Sequence, residues 1–267
     1  MNQKALNKKK EKLTSILKEL DSLVIAFSGG VDSTFLLAMA FDTLKDNVVA
    51  VTAESPIHPE REKHEAARLA KKIGARHIIV QSREINQPDF LANPRNRCYV
   101  CKKYILEDII RLASEMDMKN IAHGANKDDL NDYRPGFKAA EEMGILSPLI
   151  DADLSKNDIR TLSKEMNLST WDKPSNACLA SRIPYGTPIT KEALAMIEHA
   201  EAFILNLGLR TCRVRHHGDV ARIETAIEDI KTILDKKNRQ KIAKKLKELG
   251  YKHISIDLEG YVQGSMN

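Results

Sequence analysis

Hydrophobic positions change their spacing along this chain in a regular way, and the changes mark out its elements. Leu13, Ile16, Leu17 and Leu20 recur at helical spacing, predicting an amphipathic lead helix. The run Leu23-Val24-Ile25-Ala26-Phe27 is short, apolar, partly β-branched and stopped by glycines, which predicts a buried parallel strand. Nearly continuous apolar residues from Ser33 to Leu44 predict a helix packed hard against a sheet. Val48 to Ala53 reads as a second strand, Glu60 to Ile73 as a helix ended by Gly74, and His77 to Val80 as a third strand. A helix over Tyr104 to Met116, a short strand at Asn120 to Ala122 and a helix from Ile159 to Met166, with Ser155 and Asp158 as cap candidates, continue the alternation.

Alternating units of this kind predict an α/β fold, a doubly wound and mostly parallel sheet that binds its ligand at the carboxyl ends of the strands. Around Pro184-Tyr185-Gly186-Thr187-Pro188 the pattern changes to a long helix over Lys191 to Leu207, an alternating stretch from Val214 to Ile223, a Lys-rich helix and a strand from His253 to Leu258. Residues 1–184 are therefore expected to form the main domain and 185–267 a smaller α+β domain. Polar loops at Asn126 to Gly136 and Lys173 to Pro188 are long enough to carry function.

With 267 residues, 42% of them hydrophobic and 30% charged, the chain has the composition of a folded protein with a sizeable core. It contains no apolar run near the roughly 20 residues of a membrane span, and its N-terminus lacks a signal-type apolar stretch. A cytoplasmic protein without membrane contact is expected. The net charge of +5 suits an anionic ligand, and aromatic residues at 5% do not form the basic and aromatic stripe of a nucleic-acid binder. The lysine clusters near the start and on the late helix read as solvated faces.

Ser28-Gly29-Gly30-Val31-Asp32-Ser33 stands between a buried strand and a helix. Glycines there let backbone N–H groups approach an anion, the helix N-terminus adds partial positive charge, and Ser28 and Ser33 carry hydroxyl donors. The segment is neither a Walker A loop nor G-x-G-x-x-G. It resembles the PP-loop of N-type ATP pyrophosphatases, which cleave ATP between its α and β phosphates. That resemblance implies a loop of Ser28, Gly29, Gly30 and Ser33 gripping pyrophosphate, with Asp32 holding Mg²⁺. By fold analogy, Ala53-Glu54-Ser55 would lie near adenosine.

Cys98 and Cys101 form a C-x-x-C pair entering a helix, and Cys178 lies far along the chain. Basic neighbours and a helix N-terminus favour thiolates. From spacing alone, an iron-sulfur cluster, a zinc site and a redox pair stay open. Cys212, beside a strand, reads as a small buried hydrophobe. Arg213 and Arg215 alternate on a strand and so share a face, a spacing that suits phosphate. Glu201, Glu224 and His123 read as structural, His216 and His217 as turn or strand-end residues beside Gly218, and Lys102 as a residue able to steady an acidic intermediate.

Taken together, the loop motif, Asn131-Asp132-Tyr133-Arg134-Pro135-Gly136, Ser181-Arg182-Ile183-Pro184-Tyr185-Gly186, Arg213-Val214-Arg215 and Ala221-Arg222-Ile223-Glu224 resemble the LarE family over nearly the whole chain. These are ATP-dependent sulfur transferases of nickel-pincer nucleotide synthesis. The resemblance implies an enzyme that adenylylates a carboxylate of pyridinium-3,5-biscarboxylic acid mononucleotide, releases pyrophosphate and AMP, and forms a thiocarboxylate. It implies that Ser181, Arg182, Arg213 and Arg215 meet the substrate phosphate and that the protein is a homo-oligomer. In some members the cysteine matching Cys178 gives up its own sulfur. In others three cysteines hold a 4Fe-4S cluster supplied by sulfide or another donor. Cys98, Cys101 and Cys178 match the second group, so the expected cofactors are ATP, Mg²⁺ and a 4Fe-4S cluster. The rival readings are a PP-loop tRNA thiolase and a non-catalytic nucleotide and cluster sensor.

Overall fold

A computed structural model describes residues 3–131, 135–174 and 177–262. Asp132, Tyr133 and Arg134 of the expected family motif lie outside the described residues, as does Asn176 before the third cysteine. The chain divides into two units. The first runs through Gln87 and resumes at Asn96, and the second takes Pro88–Arg95 together with the chain from Ala177 onward.

The first unit is built on four parallel strands: β1 (Leu23–Ala26), β2 (Val48–Glu54), β3 (Arg76–Gln81) and β4 (Ile121–His123), in the order β3-β2-β1-β4. The register pairs Val24 with Val49 and with Ile121. Because side chains alternate across a strand, Leu23 and Ile25 enter one core with Leu36, Leu37, Ile159 and Leu162, whereas Val24 enters the other with Val49, Val51, Leu106 and Ile109. Both faces are covered, which is why β1 is apolar without alternation. The order reverses between β1 and β4, so the switch point lies at the carboxyl end of β1.

The helices follow the sequence reading closely in this unit. Gln3–Lys18, Val31–Leu44 and Glu60–Ile73 form as expected, the last ended by Gly74 at φ 94°. Lys156–Glu165 starts from a capping box in which the Ser155 and Asp158 side chains each accept from the other's backbone N–H. One boundary differs. The helix expected from Tyr104 begins at Arg97 and runs to Glu115, so Cys98 and Cys101 sit inside its first turns rather than ahead of it.

The second unit carries a three-stranded mixed sheet, β5 (Cys212–His217), β6 (Val220–Thr225) and β7 (His253–Ile256), with β5 antiparallel and β7 parallel to β6. The alternating stretch from Val214 to Ile223 is a hairpin, turned at Gly218 with φ 61° and Asp219, so that His216 and His217 end β5 beside the turn. Val214, Ala221 and Ile223 face a core completed by Ala200 and Ile204 of the helix Lys191–Leu205 and by Ile242 and Leu246 of the helix Lys236–Glu248. Arg213 and Arg215 take the opposite face. The expected domain boundary lay near Tyr185; contacts divide the chain earlier, after residue 176, and draw Pro88–Arg95 into this unit. Buried Asn93 explains the draw, since its amide donates to the carbonyls of Ile183, Pro184 and Thr187 at 3.4, 2.8 and 2.9 Å.

Among the described residues no helix is long and apolar enough to cross a membrane.

Candidate active site

The loop at the end of β1 is tight and internally bonded. Ser28 and Ser33 hydroxyls lie 3.1 Å apart, the Gly30 N–H donates to Ser28 Oγ at 3.3 Å, and Ser33 Oγ donates to the Gly30 carbonyl at 3.3 Å. Gly29 has φ 67°, and a Cβ there would sit 3.2 Å from the Ala66 backbone, so both conformation and space call for glycine. From the neighbouring strand, Gly124 passes so close that a Cβ would lie 2.8 Å from the Ser33 amide nitrogen. The loop is therefore wedged between the helix Glu60–Ile73 and the end of β4.

Asp32 occupies the first turn of the helix Val31–Leu44. Its Oδ2 accepts from Lys156 Nζ at 2.5 Å and its Oδ1 from Asn126 Nδ2 at 3.4 Å. Lys173 Nζ donates to the Gly29 carbonyl at 3.1 Å and to Glu65 at 2.8 Å. Two lysines distant in sequence thus reach the phosphate loop. Sequence reasoning missed both: Lys156 reads as an ordinary first-turn residue behind its Ser155 cap, and Lys173 as part of a polar loop. A carboxylate at the loop, with hydroxyls and cations around it, fits Mg²⁺ held on a nucleotide's phosphates. Glu54, at the end of β2, accepts from Lys63 and Gln81, and the bond from Lys63 holds its pKa below the usual carboxylate range.

Further along the ligand edge of the sheet, His123 ends β4. Its ring stacks on Phe137 at 6.0 Å and its Nε2 pairs with Ser147 Oγ at 3.0 Å. Burial, with the Lys102 ammonium adding to it, depresses its pKa to about 3. Burial likewise lowers Lys102, against the pull of the Cys101 thiol, and lowers His58. The unfolded chain takes up the His123 proton near pH 6.5 and the folded one only near 3, so the stabilisation present above 6.5 is lost as pH falls toward 3. The loss is at most about 1.4 kcal/mol per pH unit. His123→Gln is expected to flatten the dependence of the urea midpoint on pH between 6.5 and 4. Equal slopes in the two proteins would clear His123 of that role.

Cys98 and Cys101, three residues apart on the helix Arg97–Glu115, share a face; Cys98 is exposed and Cys101 half-buried. Cys178 belongs to the second unit and is half-buried. Within each unit taken by itself, no three His, Cys, Asp or Glu side chains among the described residues come close enough to hold a metal ion. The first unit offers two thiols, and a three-thiol cluster needs Cys178 as well. Cys212 is fully buried, and burial raises its thiol pKa.

In the second unit, Cys178 precedes the short 3-10 turn Leu179–Arg182. Ser181 Oγ donates to the Cys178 carbonyl at 2.7 Å. Arg215 Nη1 donates to the Ser181 carbonyl at 3.1 Å and Nη2 to Glu224 at 2.7 Å. Arg222 reaches the other Glu224 oxygen at 3.1 Å, and the Arg213 guanidinium lies 5.3 Å from the centre of the Tyr261 ring. Burial, with Arg182 repelling it, lowers the Arg213 pKa. Four arginines gather here with three carboxylates: Glu201 pairs with Arg182, Glu224 with Arg215 and Arg222, and Asp257 with Arg222 at 3.4 Å, and so arginine-rich a cluster suits an anion. Arg182, expected at the phosphate, is 1% exposed and directs its guanidinium to internal partners: Glu201 side-on at 2.8 and 2.9 Å, and the carbonyls of Ala177 and Cys178. Glu201, expected to be structural, is its buried counter-ion. Burial alone would lower the Arg182 pKa, and Glu201 more than offsets it.

A parallel β3-β2-β1-β4 sheet whose first strand opens into S-G-G-x-D-S at the switch point marks the chain as a member of the N-type ATP pyrophosphatase family, and a family profile for NAD synthase matches residues 5–91. Over 263 residues the chain is 38% identical to the pyridinium-3,5-bisthiocarboxylic acid mononucleotide synthase of Lactiplantibacillus plantarum, covering 97% of this chain and 94% of that protein. The chain belongs to that synthase's family, the LarE family. An uncharacterised protein of Synechocystis is 40% identical across 98% of both chains, and an uncharacterised protein of Methanocaldococcus jannaschii is 32% identical across 95% of this chain and 97% of its own.

Proposed function

We propose that this protein is an AMP-forming sulfur transferase acting on pyridinium-3,5-biscarboxylic acid mononucleotide. The observation that carries the reading is the arginine-rich face of β5 beside the Cys178 turn, a cradle for a phosphorylated acid next to a thiol. A substrate carboxylate oxygen attacks the α-phosphorus of ATP, the bond to the bridging oxygen breaks, and pyrophosphate leaves with its electron pair. The acyl adenylate then meets a sulfur nucleophile at its carbonyl carbon. The C–O bond to AMP breaks, AMP departs as an anion, and a thiocarboxylate remains.

Ser28, Gly29, Gly30 and Ser33 would bind the departing pyrophosphate, and Asp32 would hold Mg²⁺, which neutralises charge on the leaving side. Lys156 and Lys173 stand where they can take over phosphate oxygens. Ser181, Arg213 and Arg215 would orient the mononucleotide through its phosphate, which fixes its carboxylate for attack. Cys98, Cys101 and Cys178 would hold a 4Fe-4S cluster, which would supply sulfide-level sulfur to the acyl adenylate.

The test is AMP and pyrophosphate release that depends on the dicarboxylate mononucleotide, with the thiocarboxylate identified by mass. A protein that binds ATP and releases neither product is a sensor, and the reading fails. Arg213→Ala is expected to raise the KM for the mononucleotide about 10- to 100-fold, the range of one charge-assisted hydrogen bond at roughly 1.5–3 kcal/mol. An unchanged KM would remove Arg213 from the phosphate site.

A further inference from the structure

We infer that Arg182 and Glu201 are a positioning pair that locks the Cys178 turn in register with the arginine strand, an inference that rests on the reading of Cys178 as the sulfur-side residue. The turn needs outside support. It is a four-residue 3-10 segment, too short to stabilise itself, and it begins where Cys178 still has an extended backbone, at φ −61° and ψ 157°. Two carbonyls and a hydroxyl are gathered by one side chain: Arg182 Nη1 donates to Ala177 O at 2.6 Å, to Cys178 O at 2.8 Å and to Ser181 Oγ at 3.0 Å.

The other edge of the same guanidinium lies side-on to Glu201, Nε to Oε1 at 2.8 Å and Nη2 to Oε2 at 2.9 Å. Glu201 Oε1 also accepts the N–H of Val214 at 3.0 Å, and Val214 is the residue between Arg213 and Arg215. An unbroken series of hydrogen bonds therefore runs from the carbonyl of the cysteine to the backbone of the strand that carries both arginines. Arg215 adds a second tie through the Ser181 carbonyl at 3.1 Å.

Geometry also decides between positioning and direct contact. Arg182 and Glu201 are 1% and 3% exposed, and Nε, Nη1 and Nη2 of Arg182 are all engaged. An anion on β5 would have to break this network to reach the Arg182 guanidinium. A buried ion pair is also a poor way to gain stability compared with apolar packing, while a bidentate fork is a good way to fix direction. Misplacing a reacting group by about 1 Å can cost on the order of 100-fold in rate.

The experiment uses the full chain, stripped of metal, and follows iodoacetamide labelling of each cysteine by peptide mass spectrometry in wild type, Arg182→Lys and Glu201→Gln. The expected result is a change of at least fivefold in the labelling rate of Cys178, with Cys98 and Cys101 within twofold of wild type and buried Cys212 still protected. With the mononucleotide, kcat should fall about a hundredfold while KM stays within threefold. An unchanged Cys178 rate overturns the pairing. So does equal opening of Cys212, because it would mean that the pair only holds the second unit together. If the wild type makes no AMP from this substrate, the functional reading fails, and the labelling pattern still decides whether the pair sets the turn.

Discussion

Asp32→Ala is expected to lower AMP and pyrophosphate formation roughly a thousandfold or more, while leaving the fold and any bound iron as they are. The chemical side follows from placement. Asp32 is a carboxylate on the first turn behind the phosphate loop, and removing one preorganised electrostatic element from such a site costs about 10²- to 10³-fold even without a metal to lose. Losing the ion that neutralises pyrophosphate adds to that. The structural side points the other way. The Asp32–Lys156 pair is part-exposed, and pairs of that kind contribute only about 0–1 kcal/mol. The melting temperature should move by a few degrees at most. Labelled ATP resolved into AMP and ATP gives the rate, and a variant within tenfold of wild type would remove Asp32 from the metal site.

Cys178→Ala is expected to bring thiocarboxylate formation below roughly a thousandth of wild type while AMP release continues, because the substitution leaves the loop of the first unit intact. Its effect on metal separates two chemistries. About four iron and four acid-labile sulfide per wild-type chain, degraded in the variant, is the outcome expected for three thiol ligands. A metal-free wild type that loses one sulfur from Cys178 after a single turnover would identify the cysteine itself as the sulfur source. Thiocarboxylate from the variant at near the wild-type rate would sink both.

The centre of the sheet was legible from sequence because β1 and β2 are buried on both faces and so appear as unbroken apolar runs, Leu23 to Phe27 above all. Glu60 to Ile73 was legible to the residue, since Gly74 ends it in the left-handed conformation. The hairpin was legible only at its turn. The alternation of Val214 to Ile223 resumes beyond the turn, and only the polar pair His216 and His217 beside Gly218 hints at a reversal. The start of the helix at Arg97 was hidden for a related reason, because Asn96 caps it without a side-chain hydrogen bond.

For the site, the contiguous motif at Ser28 to Ser33 could be read directly, and the lysines that reach it could not, since Lys156 is 124 positions from Asp32 and only the fold brings them together. Arg182 shows the opposite difficulty. Its neighbours in sequence suggested phosphate, yet its partner Glu201 lies a helix away, and burial rather than spacing reveals what it does.

The segment Pro88–Arg95 has a bearing on how this protein could be taken apart. Asn93 donates to three carbonyls between 183 and 187, the Gly186 N–H donates back to the Asn93 carbonyl, and the Ile189 N–H donates to Leu91. The second unit is thus discontinuous, completed by eight residues borrowed from the middle of the first. A fragment starting at Ala177 would leave those carbonyls without donors and strip buried Phe90 from its place. No single cut of the chain yields both units whole. The polypeptide is threaded as one piece, so an insertion, permutation or exchange of parts has to respect the strap at Pro88–Arg95 as well as the crossing after residue 176.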